Sequence, residues 1–158
     1  MITSYVIALG SNQRHPHYGP PARVVEAAMA QLTPIASSRI ISSTAIGPSQ
    51  RRYANAAILI ESDLCPPALL IHLKATERAF GRRAGGRHWA ARVLDLDIIL
   101  WSSGIWADKM LTIPHPAYRL RGFVLGPLCE VAAWWRDPLT HFLPPQQKAR
   151  LDRKQTHP

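Results

Sequence analysis

Apolar and polar positions alternate along this chain with two periods, and the alternation lays out its elements. Residues 5–9 form a short apolar run ending at Gly10-Ser11-Asn12, which reads as a buried strand entering a turn. Pro20 and Pro21 suit a helix start, and Val24, Val25, Ala28, Met29 and Leu32 follow at helical spacing until Pro34. Residues 35–46, with Ile40 and Ile41 among serines, predict a strand, and residues 53–60 predict another after Gly47-Pro48-Ser49-Gln50-Arg51-Arg52. A second helix starts at Pro66-Pro67, buries a stripe of Leu69, Leu70, Leu73 and Phe80, and ends at Gly81. In the strand predicted for residues 92–100, Leu94, Leu96, Ile98 and Leu100 face one way while Asp95 and Asp97 face the other. A turn at Ser102-Ser103-Gly104, a short strand at residues 110–113 and a break at Pro114-His115-Pro116 come next. Residues 123–133 predict a short helix interrupted near Gly126-Pro127.

The order β-α-β-β-α-β predicts a ferredoxin-like α+β fold, an antiparallel sheet with helices over one face and the other face open to a ligand. Residues 1–143 are expected to form a single domain. Residues 144–158 carry Lys148, Arg150, Arg153 and Lys154 against Asp152 alone, and their polarity predicts a basic, flexible tail.

Composition narrows the function. An apolar share of 47% and a charged share of 18% are ordinary for a soluble globular protein. No run approaches the ~20 apolar residues of a membrane span, and Met1-Ile2-Thr3-Ser4-Tyr5 lacks the features of a signal peptide. A cytoplasmic protein without a membrane partner is expected. Cys65 and Cys129 are too few for a disulfide framework and read as ordinary thiols. The net charge of +9 raises the question of a nucleic-acid partner. Much of that charge sits in the tail and in the loop Gly81-Arg82-Arg83-Ala84-Gly85-Gly86-Arg87-His88-Trp89, which fits a phosphorylated small molecule better. An RNA-binding sheet also needs exposed aromatics on its central strands. Here the candidate strand offers two acids, which repel a phosphate backbone without a metal.

Four groups of residues carry candidate chemistry. Asp95 and Asp97, about 7 Å apart at two strand rises, read either as surface acids met by a nearby cation or as ligands for Mg²⁺, a hard cation that shares carboxylates with phosphate oxygens. The glycine-arginine loop lacks a P-loop pattern. It is a solvated loop, or a lid whose Arg82, Arg87 and Arg92 meet phosphate oxygens in bidentate pairs, with Trp89 available to stack on a ring. His115 and Arg121 offer phosphate contacts, or belong to a plain turn. Tyr53 and Asn55 share a strand face, where an amide beside an aromatic ring can read the edge of a planar heterocycle, or where a bland hairpin simply connects two strands.

Taken together, His88-Trp89-Ala90-Ala91-Arg92-Val93-Leu94-Asp95-Leu96-Asp97-Ile98-Ile99 resembles the signature of the 6-hydroxymethyl-7,8-dihydropterin pyrophosphokinases. Ala8 to Asn12, Gly47-Pro48 with Tyr53 to Ala57, Glu77 with Gly81-Arg82, Leu111 to His115, and Arg121-Gly122-Phe123 resemble further segments in the family's order. The resemblance implies that a pterin alcohol attacks the β-phosphorus of ATP and AMP leaves. It implies Asp95 and Asp97 as ligands of two Mg²⁺ ions and Arg82 and Arg92 as catalytic cations. Glu77, Trp89, Arg92, Ile98, Thr112, His115 and Arg121 would bind ATP. Thr44, Ile46, Tyr53, Asn55, Trp89 and Phe123 would bind the pterin. A monomer is expected, with contact to other folate enzymes open. Lys74, Ala84, Met110 and Pro116 depart from the common pattern, which bears on the ATP contacts.

Overall fold

The computed structural model describes residues 1–44, 52–81 and 93–156. Strand β1 (Thr3–Ser11) leads into helix α1 (Pro21–Gln31), then β2 (Ala36–Ser37), β3 (Ile41–Thr44) and β4 (Arg52–Ser62). Helix α2 (Pro66–Ala79) precedes β5 (Asp95–Trp101), a small hairpin of β6 (Trp106–Ala107) and β7 (Thr112–Ile113), and helices α3 (Gly122–Ala132) and α4 (Pro144–Thr156). A single 3-10 turn, Tyr118–Leu120, joins the hairpin to α3. The main sheet is antiparallel in the order β2-β4-β1-β5, with β3 also paired to β4. This is the α+β architecture expected.

Of the four prolines expected at helix starts, Pro21, Pro66 and Pro67 occupy the first turn, where a missing N–H costs nothing, and Pro20 is the N-cap of α1. Gly81, at φ +107°, turns the chain out of α2 in the left-handed region that favours glycine.

Five details differ from the sequence reading. Of the strand expected over residues 35–46, the described part to residue 44 is two short strands, because Ser38 takes over part of the ladder: its N–H bonds the Ala57 carbonyl at 2.9 Å and its hydroxyl accepts the Ala57 N–H at 2.9 Å. The helix around Pro127 is continuous. Proline removes only the bond to the Phe123 carbonyl in the first turn, while its ring is buried. The β1–β5 register slips between Val6 and Ile7, so that Val6 faces Leu100 and Ile7 faces Ile98. Ile99 is the extra residue of a bulge, and Leu100 therefore leaves the face of Leu94, Leu96 and Ile98 for the opposite one.

The fourth difference is the second sheet face. One face carries a core of Tyr5, Ile7, Ile58, Leu73 and Leu96 with α1 and α2. The other carries a second core of Val6, Leu59, Leu100, Leu125, Leu128 and Val131, in which α3 covers part of the sheet expected to be open. The fifth is the basic tail: residues 144–156 form α4, not a flexible segment. Gln147 and Leu151 are buried from this otherwise polar helix, and buried Asp137 holds it through Gln147 Nε2 at 2.8 Å. No helix of the described residues is long and apolar enough to cross a membrane.

Candidate active site

Cross-strand partners share a face, so the register builds the site row by row. Across β4, β1 and β5 the first row is Asn55, Gly10, Asp95 and the second is Ala57, Ala8, Asp97. The third row, Leu59, Val6 and Leu100, lies in the core with α3. The two rows beyond it have a floor of glycine and alanine with an amide at one end and two carboxylates at the other. At about 4.8 Å per strand, Asn55 and Asp95 stand about 10 Å apart.

Gly10 is small for a reason. A Cβ built there comes to 3.3 Å from Asn55 Oδ1, so any side chain crowds the amide. Asn55 is 6% exposed and donates from Nδ2 to the Ser43 hydroxyl at 2.9 Å. That bond orients the amide; Ser43 carried no signal in the sequence beyond its place on a strand. Tyr53, half-exposed, lies two residues along on the same face.

The acidic end gathers groups from three elements. Burial, then the charge of Asp95, pushes the Asp97 carboxyl above the ordinary carboxylate range, while His115, Lys74 and Arg121 pull it back. His115 Nε2 stands 4.0 Å from Asp97 Oδ2. Its Nδ1 accepts the Ala117 N–H at 3.2 Å, leaving Nε2 as the protonated nitrogen of a neutral ring. Burial pulls the His115 pKa below its usual value; Asp97 opposes this and Arg121 adds to it. Two acids held close with nearby cations present a hard-oxygen donor pair that a divalent ion relieves. Among the described residues, no group of three or more His, Cys, Asp and Glu side chains forms a closed metal cage.

Arg121 ends the 3-10 turn and precedes α3, with its guanidinium carbon 5.9 Å from the centre of the Phe123 ring. Phe123, in the first turn of α3, is half-exposed. Thr112 is exposed on β7, opposite Ala107.

Two expected ligand contacts have other occupations. Glu77, expected at ATP, is fully buried, and its Oε1 accepts the Leu96 N–H at 2.9 Å. In the main sheet β5 is an edge, and Glu77 satisfies a backbone donor between the two aspartates. Lys74, a departure from the common pattern, places Nζ 3.4 Å from Glu77 Oε2 and balances that buried charge. Ile98 is 2% exposed in the core beneath the sheet, so only its backbone is available to a ligand. Arg82, Trp89, Arg92 and Ile46 lie outside the described residues, as does the Thr44 side chain; the Thr44 backbone pairs with Arg52.

Known proteins share this arrangement of elements. The family 7,8-dihydro-6-hydroxymethylpterin-pyrophosphokinase (HPPK) matches residues 6–133. A 2-amino-4-hydroxy-6-hydroxymethyldihydropteridine pyrophosphokinase of Synechocystis is 37% identical over 139 residues, covering 84% of this chain and 68% of that protein. The protein of the same name from Haemophilus influenzae is 36% identical over 140 residues, covering 84% of this chain and 83% of its own. A wild-type Plasmodium falciparum HPPK-DHPS crystallised with pteroate superposes with a TM-score of 0.69 at 10% identity, and covers 99% of this chain. This chain spans 44% of that one, and the likeness concerns the fold alone. By the extent of these matches the chain belongs to the HPPK family, and it transfers pyrophosphate from ATP to 6-hydroxymethyldihydropterin in folate biosynthesis.

Proposed function

We propose that the two small-floored rows divide this reaction between them, with the pterin at Asn55 and the polyphosphate of ATP at Asp95 and Asp97. The observation that carries this reading is the register itself, which sets an oriented amide and a carboxylate pair at opposite ends of one glycine- and alanine-floored face. Asn55 reads the amide-like edge of the pterin, and Tyr53 and Phe123 flank its ring. The Thr44 backbone and Ile46 complete that pocket. His115 and Arg121 meet phosphate oxygens; Thr112 and the Ile98 backbone lie towards the nucleoside. Glu77 acts through β5, holding the strand that carries both acids.

Asp95 and Asp97 hold Mg²⁺, with two ions expected, which when bound neutralises polyphosphate charge. The pterin hydroxymethyl oxygen forms a bond to the β-phosphorus, the bond from that phosphorus to the α,β-bridging oxygen breaks, and AMP leaves as the alcohol proton is lost. Little covalent help is needed, so alignment and charge stabilisation are what the residues supply. Arg82 and Arg92 add cations at the transferred group, and Trp89 closes over it to exclude water. The protein works as a cytoplasmic monomer, a location its unpaired Cys65 and Cys129 support.

The test is to mix protein, ATP, Mg²⁺ and 6-hydroxymethyl-7,8-dihydropterin and to separate the nucleotides. AMP should appear only with both pterin and metal, and a chelator should stop it. ADP as the product, or AMP undiminished by chelation, would overturn the reading.

The pterin end has its own prediction. Asn55→Ala removes the reading amide and should raise the pterin KM by roughly tenfold, the worth of a hydrogen bond or two. Gly10→Ala should do the same more weakly, because its Cβ displaces the Asn55 oxygen without removing it. Steady-state kinetics in both substrates checks this; an effect on the ATP KM alone counts against the assignment.

A further inference from the structure

Between the 3-10 turn and α4, lined by residues other than those assigned to the reaction, lies an open cavity of about 240 Å³. Its walls are divided by chemistry. Arg119, Arg150 and Lys154 bring three cations from two elements, and no acidic side chain among the described residues lines it. Leu120, Phe142 and Leu151 make the apolar part, and Leu120 is 69% exposed.

The cations are prepared for a ligand in different ways. Arg119 Nε is fixed at 2.6 Å on Asp137 Oδ2, and its Nη2 is buried without a hydrogen-bond acceptor among the described residues. Gln147, 5% exposed, is anchored on the same Asp137 oxygen through Nε2, and its buried Oε1 has no donor among the described residues. Arg150 lies over the Phe142 ring, with its guanidinium carbon 4.6 Å from the ring centre. A guanidinium held in place by Asp137, two further cations and an aromatic wall together favour an anion attached to a flat apolar body. A cavity of about 150 Å³ accepts benzene, so the volume here has room for a ring and an oxyanion.

We propose that this cavity is a second ligand site, distinct from the pyrophosphoryl-transfer site, for a small aromatic oxyanion. The ring lies against Phe142, Leu120 and Leu151, and the carboxylate or phosphate meets Arg150, Lys154 and Arg119.

The whole protein, labelled with ¹⁵N, is titrated with benzoate, with phenyl phosphate and with inorganic phosphate, following amide shifts. A saturable titration is expected with at least one aromatic probe, centred on Leu120, Phe142 and Leu151. Arg150→Glu combined with Lys154→Glu reverses the charge at two exposed positions and should weaken that binding at least tenfold with unchanged pyrophosphoryl transfer. Benzoate binding alone identifies a carboxylate site, and phenyl phosphate alone a phosphate site. Inorganic phosphate binding as tightly as phenyl phosphate would remove the aromatic component and overturn the proposal. So would shifts confined to the Asn55 and Asp95 region, no saturable titration with either aromatic probe, or binding indifferent to the double reversal.

Discussion

Asp95→Asn and Asp97→Asn, each made alone, should lower turnover by at least about a hundredfold, since a lost metal ligand removes several kcal/mol of charge stabilisation from phosphoryl chemistry. The fold should survive both changes. The two side chains stand on the small-floored rows outside both buried cores. For Asp97 the expected stability change even has a sign. Burial and the neighbouring Asp95 raise its carboxyl above the ordinary range. A carboxylate with a raised folded-state pKa is destabilising once pH exceeds that value, because ionisation is easier in the unfolded chain. Without metal at neutral pH, Asp97→Asn should therefore melt at the same temperature as the parent or higher, while turnover collapses. Mg²⁺ with ATP should raise the parent's melting temperature by linkage and have a smaller effect on either variant. Retention of near-parental turnover by either variant would sink the metal assignment. A lower melting temperature together with lost activity would instead place the aspartates in the structural framework.

The aspartate pair was legible because strand alternation is a local rule. Neighbours two residues apart must share a face, and nothing distant alters that over residues 94–98. Pro21, Pro66 and Gly81 were legible for the same reason, since each acts through its own φ or its own missing N–H. Leu100 was not, because the Ile99 bulge depends on how β5 meets β1. The structural contact of Glu77 was not legible either. A charged residue on a helix reads as exposed, and only the tertiary fold brings it beneath the Leu96 N–H with Lys74 as counter-ion. Gly10 reads in the sequence as the start of a turn, but it lies within β1, and the space it leaves for Asn55 is defined across two strands. The roles of Arg82, Arg92 and Trp89 rest on their sequence alone.

Helix α4 was misread as a tail because its stability lies outside it. Its residues are mostly polar, and few of them are buried. Asp137 supplies the missing anchor. The residue is 1% exposed, and its Oδ2 accepts from the Tyr118 hydroxyl at 2.5 Å, Arg119 Nε at 2.6 Å and Gln147 Nε2 at 2.8 Å. Its Oδ1 accepts from the Leu139 and Thr140 N–H groups at 2.8 and 3.3 Å. One carboxylate thus ties the 3-10 turn, the loop before α4 and α4 itself.

Asp137→Ala should consequently be the most destabilising single change outside the two cores. Removing the acid strands a half-buried guanidinium and several donors, and breaking a largely buried pair in this way costs about 3–5 kcal/mol. In a chain of this size that is a fall of roughly 10 °C in melting temperature. The acid limb of the stability curve carries the same signature. Arg119 and Tyr118 hold the Asp137 carboxyl well below its usual pKa against the opposing effect of burial. Its contribution is therefore complete above the unfolded-state pKa of about 3.9 and is lost as pH falls through the depressed native value. The parent should lose stability on acidification below about pH 4, whereas the alanine variant should start lower and show a shallower loss. Urea titrations at neutral and acid pH measure both effects. The 3-10 turn lies between His115 and Arg121, so a loosened turn should also raise the ATP KM while the pterin KM changes less. A cost below about 1 kcal/mol, the worth of a single ordinary hydrogen bond, would mean that α4 is held by Leu151 and its apolar contacts instead.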